Sequence, residues 1–462
     1  MSQTSRADST PIAGWEWSTL ALIGAAALAL RLYALGRIPA VFFHDECDNL
    51  VNVYQILNGN GPGFFGLDWK PQPAASVYLL SLFMRVGKSV FALRLPAALM
   101  SVAAVVPFYL LLRRAVAAVP ALLTTLLLAT DIWYLHFSRS GWDNIFTCLF
   151  VTAAALSVDD AVHTGRARCF GWAGVWSTLG AYGYAAGRTI LPAILLILLC
   201  AGWRPLIPRR RLLTGALLTT AVTVILFIPQ VRSIRSNWEH FQDRPRFVSV
   251  LKDQQNRSVL GKVAVVLGNF GWKAPQLFTN RIPQPAVPER PSRYLRVDDG
   301  AFLRPTAIAL LVGMVISFFM LGRDGPVWQW WIFLLTSFGI TEALTFGSLN
   351  GARGIIFVPL LYLFVGLTVD ALWQLSLRTY RPLAALLVAA TMVLSVSATR
   401  QYFVWVQSSG LLEALEPAIP IDEFPAWQAY VLDWTAHTSD FFNVNMWKEY
   451  RKSHPIGSAG AS

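Results

Sequence analysis

An all-α protein that crosses a lipid bilayer many times is the fold class this sequence predicts, and three observations carry it. Of 462 residues, 55% are hydrophobic and only 14% charged, with a mean hydropathy of +0.48. Apolar runs near the roughly 20 residues that a hydrocarbon core requires recur from about residue 14 to about residue 402, divided by short charged or Gly/Pro-bearing separators. Basic residues gather on alternate separators, the distribution expected of cytoplasmic connections.

About eleven spans follow, near 14–35, 94–112, 117–136, 145–162, 170–187, 189–203, 212–231, 301–321, 328–347, 354–375 and 383–402. With the N-terminus in the cytoplasm, Arg113 and Arg114, Arg166 and Arg168, Arg204 with Arg209 to Arg211, Arg323, and Arg378 with Arg381 all fall inside. The first apolar run is too long for a signal-peptide core and lacks a small-residue cleavage site, so it reads as a retained span. Residues 1–403 then form a transmembrane domain with long external loops at 36–93 and 232–300, and residues 404–462 an external tail.

The first external loop opens with an acidic cluster, His44-Asp45-Glu46-Cys47-Asp48. Its plain reading is a helix start, where carboxylates meet unpaired N–H groups and the helix dipole. Asp48 to Leu57 is expected as a short interfacial helix with Leu50, Val53, Tyr54 and Leu57 on one face and Asp45, Asn49 and Asn52 on another. Asn58 to Gly63 breaks it, and Asp68-Trp69-Lys70-Pro71 leads into a second short apolar helix ending about Val86. In the long loop, Val259 to Trp272 reads as another interfacial stretch.

The order of these motifs resembles a family. An external Asp-Glu after the first span, Lys70-Pro71 before a short helix, Arg94-Leu95-Pro96 at the second span, and Phe137-Ser138-Arg139 with Asp143 at the fourth are similar to the GT-C glycosyltransferases that use polyprenyl-phosphate sugars. Protein O-mannosyltransferases, aminoarabinose transferases of lipid A and the bacterial galacturonosyltransferase-like group are the relatives it resembles, over roughly residues 14–375. Tyr182 to Arg188 looks like the aromatic, Arg-bearing turn after their fifth span, and Asn350 to Pro359 like their late basic segment.

The resemblance implies an integral enzyme of the bacterial inner membrane, acting on the periplasmic face, with a polyprenyl-phosphate-linked sugar as donor. It nominates Asp45 as the base that takes a proton from the acceptor hydroxyl, Glu46 as a shaping or acceptor-binding group, and Asp143 as an acidic cavity residue. It assigns Lys70 to the departing phosphate, with Arg139, Arg188 and Arg353 as further phosphate contacts, and His44, Tyr182 and Tyr184 to the substrate cavity. Each has a plainer alternative: Arg139 and Arg188 as basic groups snorkelling at span ends, Asp143 as a helix cap, the histidines as interfacial polar groups, and the tryptophans as an interfacial belt. A glycolipid, a polysaccharide or a protein would each serve as acceptor.

Other classes fit less well. The net charge of +12 is spread along span flanks rather than collected in a soluble basic domain, so no nucleic-acid role is read. Four cysteines make no framework, no CxxC spacing occurs, and no Walker loop, GxGxxG or Asp-x-Asp signature is present. No metal site is assigned; Asp45 with Glu46 would offer two carboxylates to a divalent cation without requiring one. A transporter or flippase would bury charge mid-span and repeat internally, whereas here charge sits in loops with Glu342 and Asp370 as exceptions. A non-catalytic GT-C-like assembly subunit is the other rival, against which Asp45, Lys70 and Asp143 stand.

Overall fold

The computed structural model describes residues 11–42, 44–68, 71–204, 206–252, 254, 257–278, 302–322, 325–345, 349–407, 419–437, 450 and 452–453. Helical backbone coincides with each of the eleven apolar runs: α1 (Gly14–Leu32), α4 (Val90–Ala103) continuing into α5 (Val105–Leu112), α6 (Ala118–Thr130) with α7 (Ile132–Ser138), α8 (Phe146–Thr164), α9 (Ala167–Gly183), α10 (Ile190–Ala201), α11 (Arg209–Ser236), α14 (Arg304–Phe318), α15 (Val327–Phe338), α17 (Val358–Thr379) and α18 (Pro382–Gln407). Among the described residues, five helical segments suffice by length and composition to cross a membrane, six if the bent pair α6–α7 counts as one.

Burial sorts these helices into centre and rim. In the most apolar stretch of the segment containing α17, 83% is buried, and in that of α8, 78%. The corresponding share in α11 and α18 is 22%, and their Leu213, Leu217, Ile225, Val393 and Val396 lie open. Apolar side chains facing outward along a membrane-length helix have lipid as their natural solvent. At the centre, α14 crosses α17 so closely that a Cβ on Gly313 would stand 1.8 Å from the Phe364 carbonyl oxygen. The break between α6 and α7, 57°, falls at Asp131, whose carboxylate accepts from the Tyr134 amide at 2.9 Å and from the Tyr362 hydroxyl at 2.9 Å.

One end of the bundle is tied by ion pairs. Glu16 accepts from Arg113 Nε at 2.9 Å and from the Tyr109 hydroxyl, while Arg114 reaches Asp159 and, at 2.9 Å, Asp160. The other end carries the irregular elements: α2 (His44–Leu57), α3 (Ala75–Val86), α12 (Trp238–Val248), α13 (Val259–Lys273) and the short α16 (Gly351–Gly354). The described part of the C-terminal tail packs here too. Strand β2 (Ile419–Pro420) pairs antiparallel with β1 (Val41–Phe42), and α19 (Phe424–His437) lies on α2. Asn58 Nδ2 donates to Thr435 Oγ1 at 2.9 Å, and Asn60 Nδ2 to the Thr435 carbonyl at 3.0 Å.

Candidate active site

Helix α2 begins at His44, four residues before the expected Asp48, because Asp45 and Glu46 favour its first turn. The two carboxylates then diverge. Glu46 is fully buried; its oxygens accept from Arg94 Nε at 2.9 Å and Nη2 at 3.1 Å, and from the Gly141 amide. Arg94 spends its remaining N–H groups on the carbonyls of Leu35, Pro39 and Val41 at 2.9–3.2 Å. Five donors thus meet five acceptors, the condition under which a buried guanidinium–carboxylate pair is tolerated. Gly141 is required at this contact, since a Cβ there would lie 2.8 Å from Leu93 Cγ. A cation held jointly by Glu46 and Asp45 would have to displace Arg94.

Asp45 lies one helical step away, 7% exposed, on the face that also carries Asp48, Asn49 and Asn52. That face is bonded to the turn before α8: Asn49 Nδ2 donates to the Gly141 carbonyl at 3.0 Å. Two residues on, Asp143 opens a 3₁₀ turn (Asp143–Ile145) and accepts from Ser76 Oγ of α3 at 2.5 Å. Asn144 Nδ2 continues the chain of contacts to the Ala352 carbonyl at 3.1 Å, beside Arg353. Asp45, Asp143 and Arg353 therefore sit on three turns hydrogen-bonded into one layer. Lys70 and the His44 side chain lie outside the described residues.

The arginines separate by what they bond. Arg139 is buried under the end of α1, its Nη1 donating to Leu30 and Arg31 carbonyls at 2.5 and 2.8 Å and its Nη2 to Tyr33 and Ile38 at 2.7 and 2.9 Å. It closes a helix C-terminus, where carbonyls lack partners, and neither snorkels nor faces Asp45's layer. Arg188, in the 3₁₀ turn Ala185–Thr189, lies over the Phe241 ring at 5.2 Å, and among the described residues its guanidinium has no hydrogen-bond partner. Burial lowers its pKa, opposed by the Asp68 carboxylate. Arg353 is presented by α16, which Asn350 caps through Oδ1 with the Ala352 and Arg353 amides at 3.0 and 3.1 Å; its Nε is buried and unbonded. The Arg188 turn packs against α16.

The two tyrosines also part. Tyr184 meets Trp142 edge-on, 6.2 Å between centroids, next to Asp143. Tyr182 turns away, donating its hydroxyl to the Leu226 carbonyl of α11 at 2.9 Å. Reasoning from sequence missed the partner of Glu342. Lys273 of α13 reaches Glu342 Oε2 at 3.3 Å with both side chains fully buried. The signal was half present: Glu342 stood out as a charge in an apolar run, whereas Lys273, 69 residues away, follows directly on the interfacial stretch read as Val259 to Trp272 and was not singled out.

A helical membrane bundle whose loops gather acids and arginines at one end has the fold of the GT-C glycosyltransferases, the class the motif order suggested. Residues 71–231 match the family model of dolichyl-phosphate-mannose-protein mannosyltransferase. Among solved structures, the archaeal oligosaccharyltransferase AglB from Archaeoglobus fulgidus, in complex with an inhibitory peptide and a dolichol-phosphate, aligns with 87% of this chain and 56% of its own at 15% identity, TM-score 0.55. The apo form of the oligosaccharyltransferase of that organism aligns with 90% and 59% at 16% identity, TM-score 0.55. ArnT from Cupriavidus metallidurans bound to undecaprenyl phosphate aligns with 92% and 78% at 13% identity, TM-score 0.49. The chain spans less than three fifths of the oligosaccharyltransferases it matches, and at these identities the likeness is one of fold. Comparison with curated proteins by sequence gives no match.

Proposed function

We propose that this protein is a membrane glycosyltransferase that moves a sugar from a polyprenyl-phosphate donor to an acceptor hydroxyl on the outer, periplasmic face. The observation that carries the proposal is the layer of turns bearing Asp45, Asp143 and Arg353, joined by the bonds of Asn49 to the Gly141 carbonyl and of Asn144 to the Ala352 carbonyl, with the Arg188 turn packed alongside. Two guanidinium groups with nitrogens buried and unbonded among the described residues, on turns that share a layer with two carboxylates, suit a reaction that develops an alkoxide on one side and releases a phosphate on the other.

Asp45 takes the proton of the acceptor hydroxyl as its oxygen attacks the anomeric carbon, and the bond from that carbon to the phosphate oxygen breaks. The electron pair leaves on the lipid phosphate, which Arg188, Arg353 and Lys70 neutralise. One base suffices for direct displacement, so inversion at the anomeric carbon is expected. Asp143, held by Ser76, orients the acceptor, and Tyr184 lines the sugar's side of the cavity. Glu46 shapes the site through Arg94. The acceptor hydroxyl belongs to a glycolipid, a polysaccharide or a protein. Membranes supplied with labelled polyprenyl-phosphate sugars provide the test: wild-type protein transfers label, Asp45→Asn and Lys70→Ala do not, and undiminished transfer by both variants would overturn the assignments.

A further inference from the structure

Helix α13 belongs to the long loop between α11 and α14, yet it is fastened to the segment bearing Arg353 more tightly than its loop position suggests. Its outward side exposes Val259, Leu260, Val263 and Leu267, between 48% and 81%. The opposite side carries Asn269 and Lys273, one turn apart. Asn269 Nδ2 donates to the Ala343 and Thr345 carbonyls at 2.8 Å each. Lys273 Nζ donates to the Glu342 and Thr345 carbonyls at 2.9 and 2.8 Å and to the Glu342 carboxylate at 3.3 Å.

These acceptors exist because α15 ends in a π-helical turn, Gly339–Ala343, that leaves carbonyls out of the regular ladder. Glu342 passes the constraint on. Its Oε2 also accepts from the Asn350 amide at 3.3 Å, and its charge acts on Arg353 as well as on Lys273. Asn350 in turn caps α16 and fixes the Arg353 amide at 3.1 Å. Just past α13, Gln276 Oε1 accepts from the Leu349 amide at 2.9 Å, a second tie to the same segment. A fully buried Lys–Glu pair is costly to assemble for stability alone.

We propose that Lys273 is a positioning residue: through Glu342 and Asn350 it sets the turn that presents Arg353 to the donor phosphate. This rests on the reading of Arg353 as a phosphate contact, and it makes α13 part of the donor site without touching the donor.

The test is a double-mutant cycle on the purified full-length protein, with undecaprenyl phosphate, carrying no sugar, as the binding probe. Lys273→Met should weaken binding about tenfold, the scale on which supporting residues act on the groups they orient. In an Arg353→Met background the same change should alter binding by less than about twofold, since the residue it acts through is gone. Should Lys273→Met not fold, Glu342→Gln enters the same cycle, keeping an oxygen for Asn350 while removing the charge between Lys273 and Arg353. Equal losses in both backgrounds, or unchanged binding in the single variant, would overturn the proposal and leave the donor reading intact. Wild-type binding by Arg353→Met alone would remove the phosphate reading of Arg353 and the positioning role with it.

Discussion

Arg94 and Arg353 belong to the same end of the molecule and solve opposite problems. Arg94 meets an acceptor with every N–H it has, and its partner Glu46 is equally spent. Arg353 has its backbone amide capped and, among the described residues, its guanidinium Nε buried without a bond. A charged group saturated by the protein fixes shape, since any ligand would first have to break bonds already made. A guanidinium whose N–H groups the protein leaves unbonded is kept ready for a ligand that arrives. A related contrast separates Arg139, whose two terminal nitrogens meet four carbonyls, from Arg188, whose Nη2 is buried without a bond among the described residues.

Several substitutions break or sharpen this comparison. The largest effect belongs to Asp45→Asn, which should lower sugar transfer about 10²- to 10⁴-fold, the usual worth of a general base, while thermal unfolding in detergent stays near wild type. Arg94→Met should do the reverse: removing one partner of the buried pair strands the Glu46 charge, costing about 3–5 kcal/mol of stability, read as a lower unfolding midpoint. If Arg94→Met melts like wild type, saturation does not mark a structural role. Arg353→Met should weaken undecaprenyl phosphate binding by the worth of a charged hydrogen bond, about 1.5–3 kcal/mol, with little change in melting. Arg139→Met should show the opposite pattern, and equal donor affinities for the two variants would erase the distinction. Smallest is Tyr182→Phe, which should cost about 0.5–1.5 kcal/mol of stability through its bond to Leu226 and leave the transfer rate unchanged.

The helices were legible because each needs an apolar run, and a run is a local property. Ser89 moves the start of the second span forward from the expected residue 94 by capping α4, its side chain accepting from the Ala92 amide at 3.2 Å. The acidic start of α2 was legible for the same local reason. The division of labour within it came from the family resemblance and not from the residues themselves, because the partner that occupies Glu46 stands 48 residues away. Arg139 shows the limit most plainly. A basic residue at a span end suggests the headgroups, but four carbonyls at the end of α1, more than 100 residues upstream, claim it instead. Glu342 stood in the sequence as an isolated charge, because its partner Lys273 lies 69 residues away and meets it only at the π-helical turn.

The strand pairing of Val41 and Phe42 with Ile419 and Pro420 has a consequence in time. Helix α2, with Asp45, leaves the ribosome early; the strand and helix that brace it follow some 375 residues later. At roughly 5–20 residues per second that delay is on the order of 20–75 s. Through that interval α2 and Asp45 stand without the strand and helix that later pack on them.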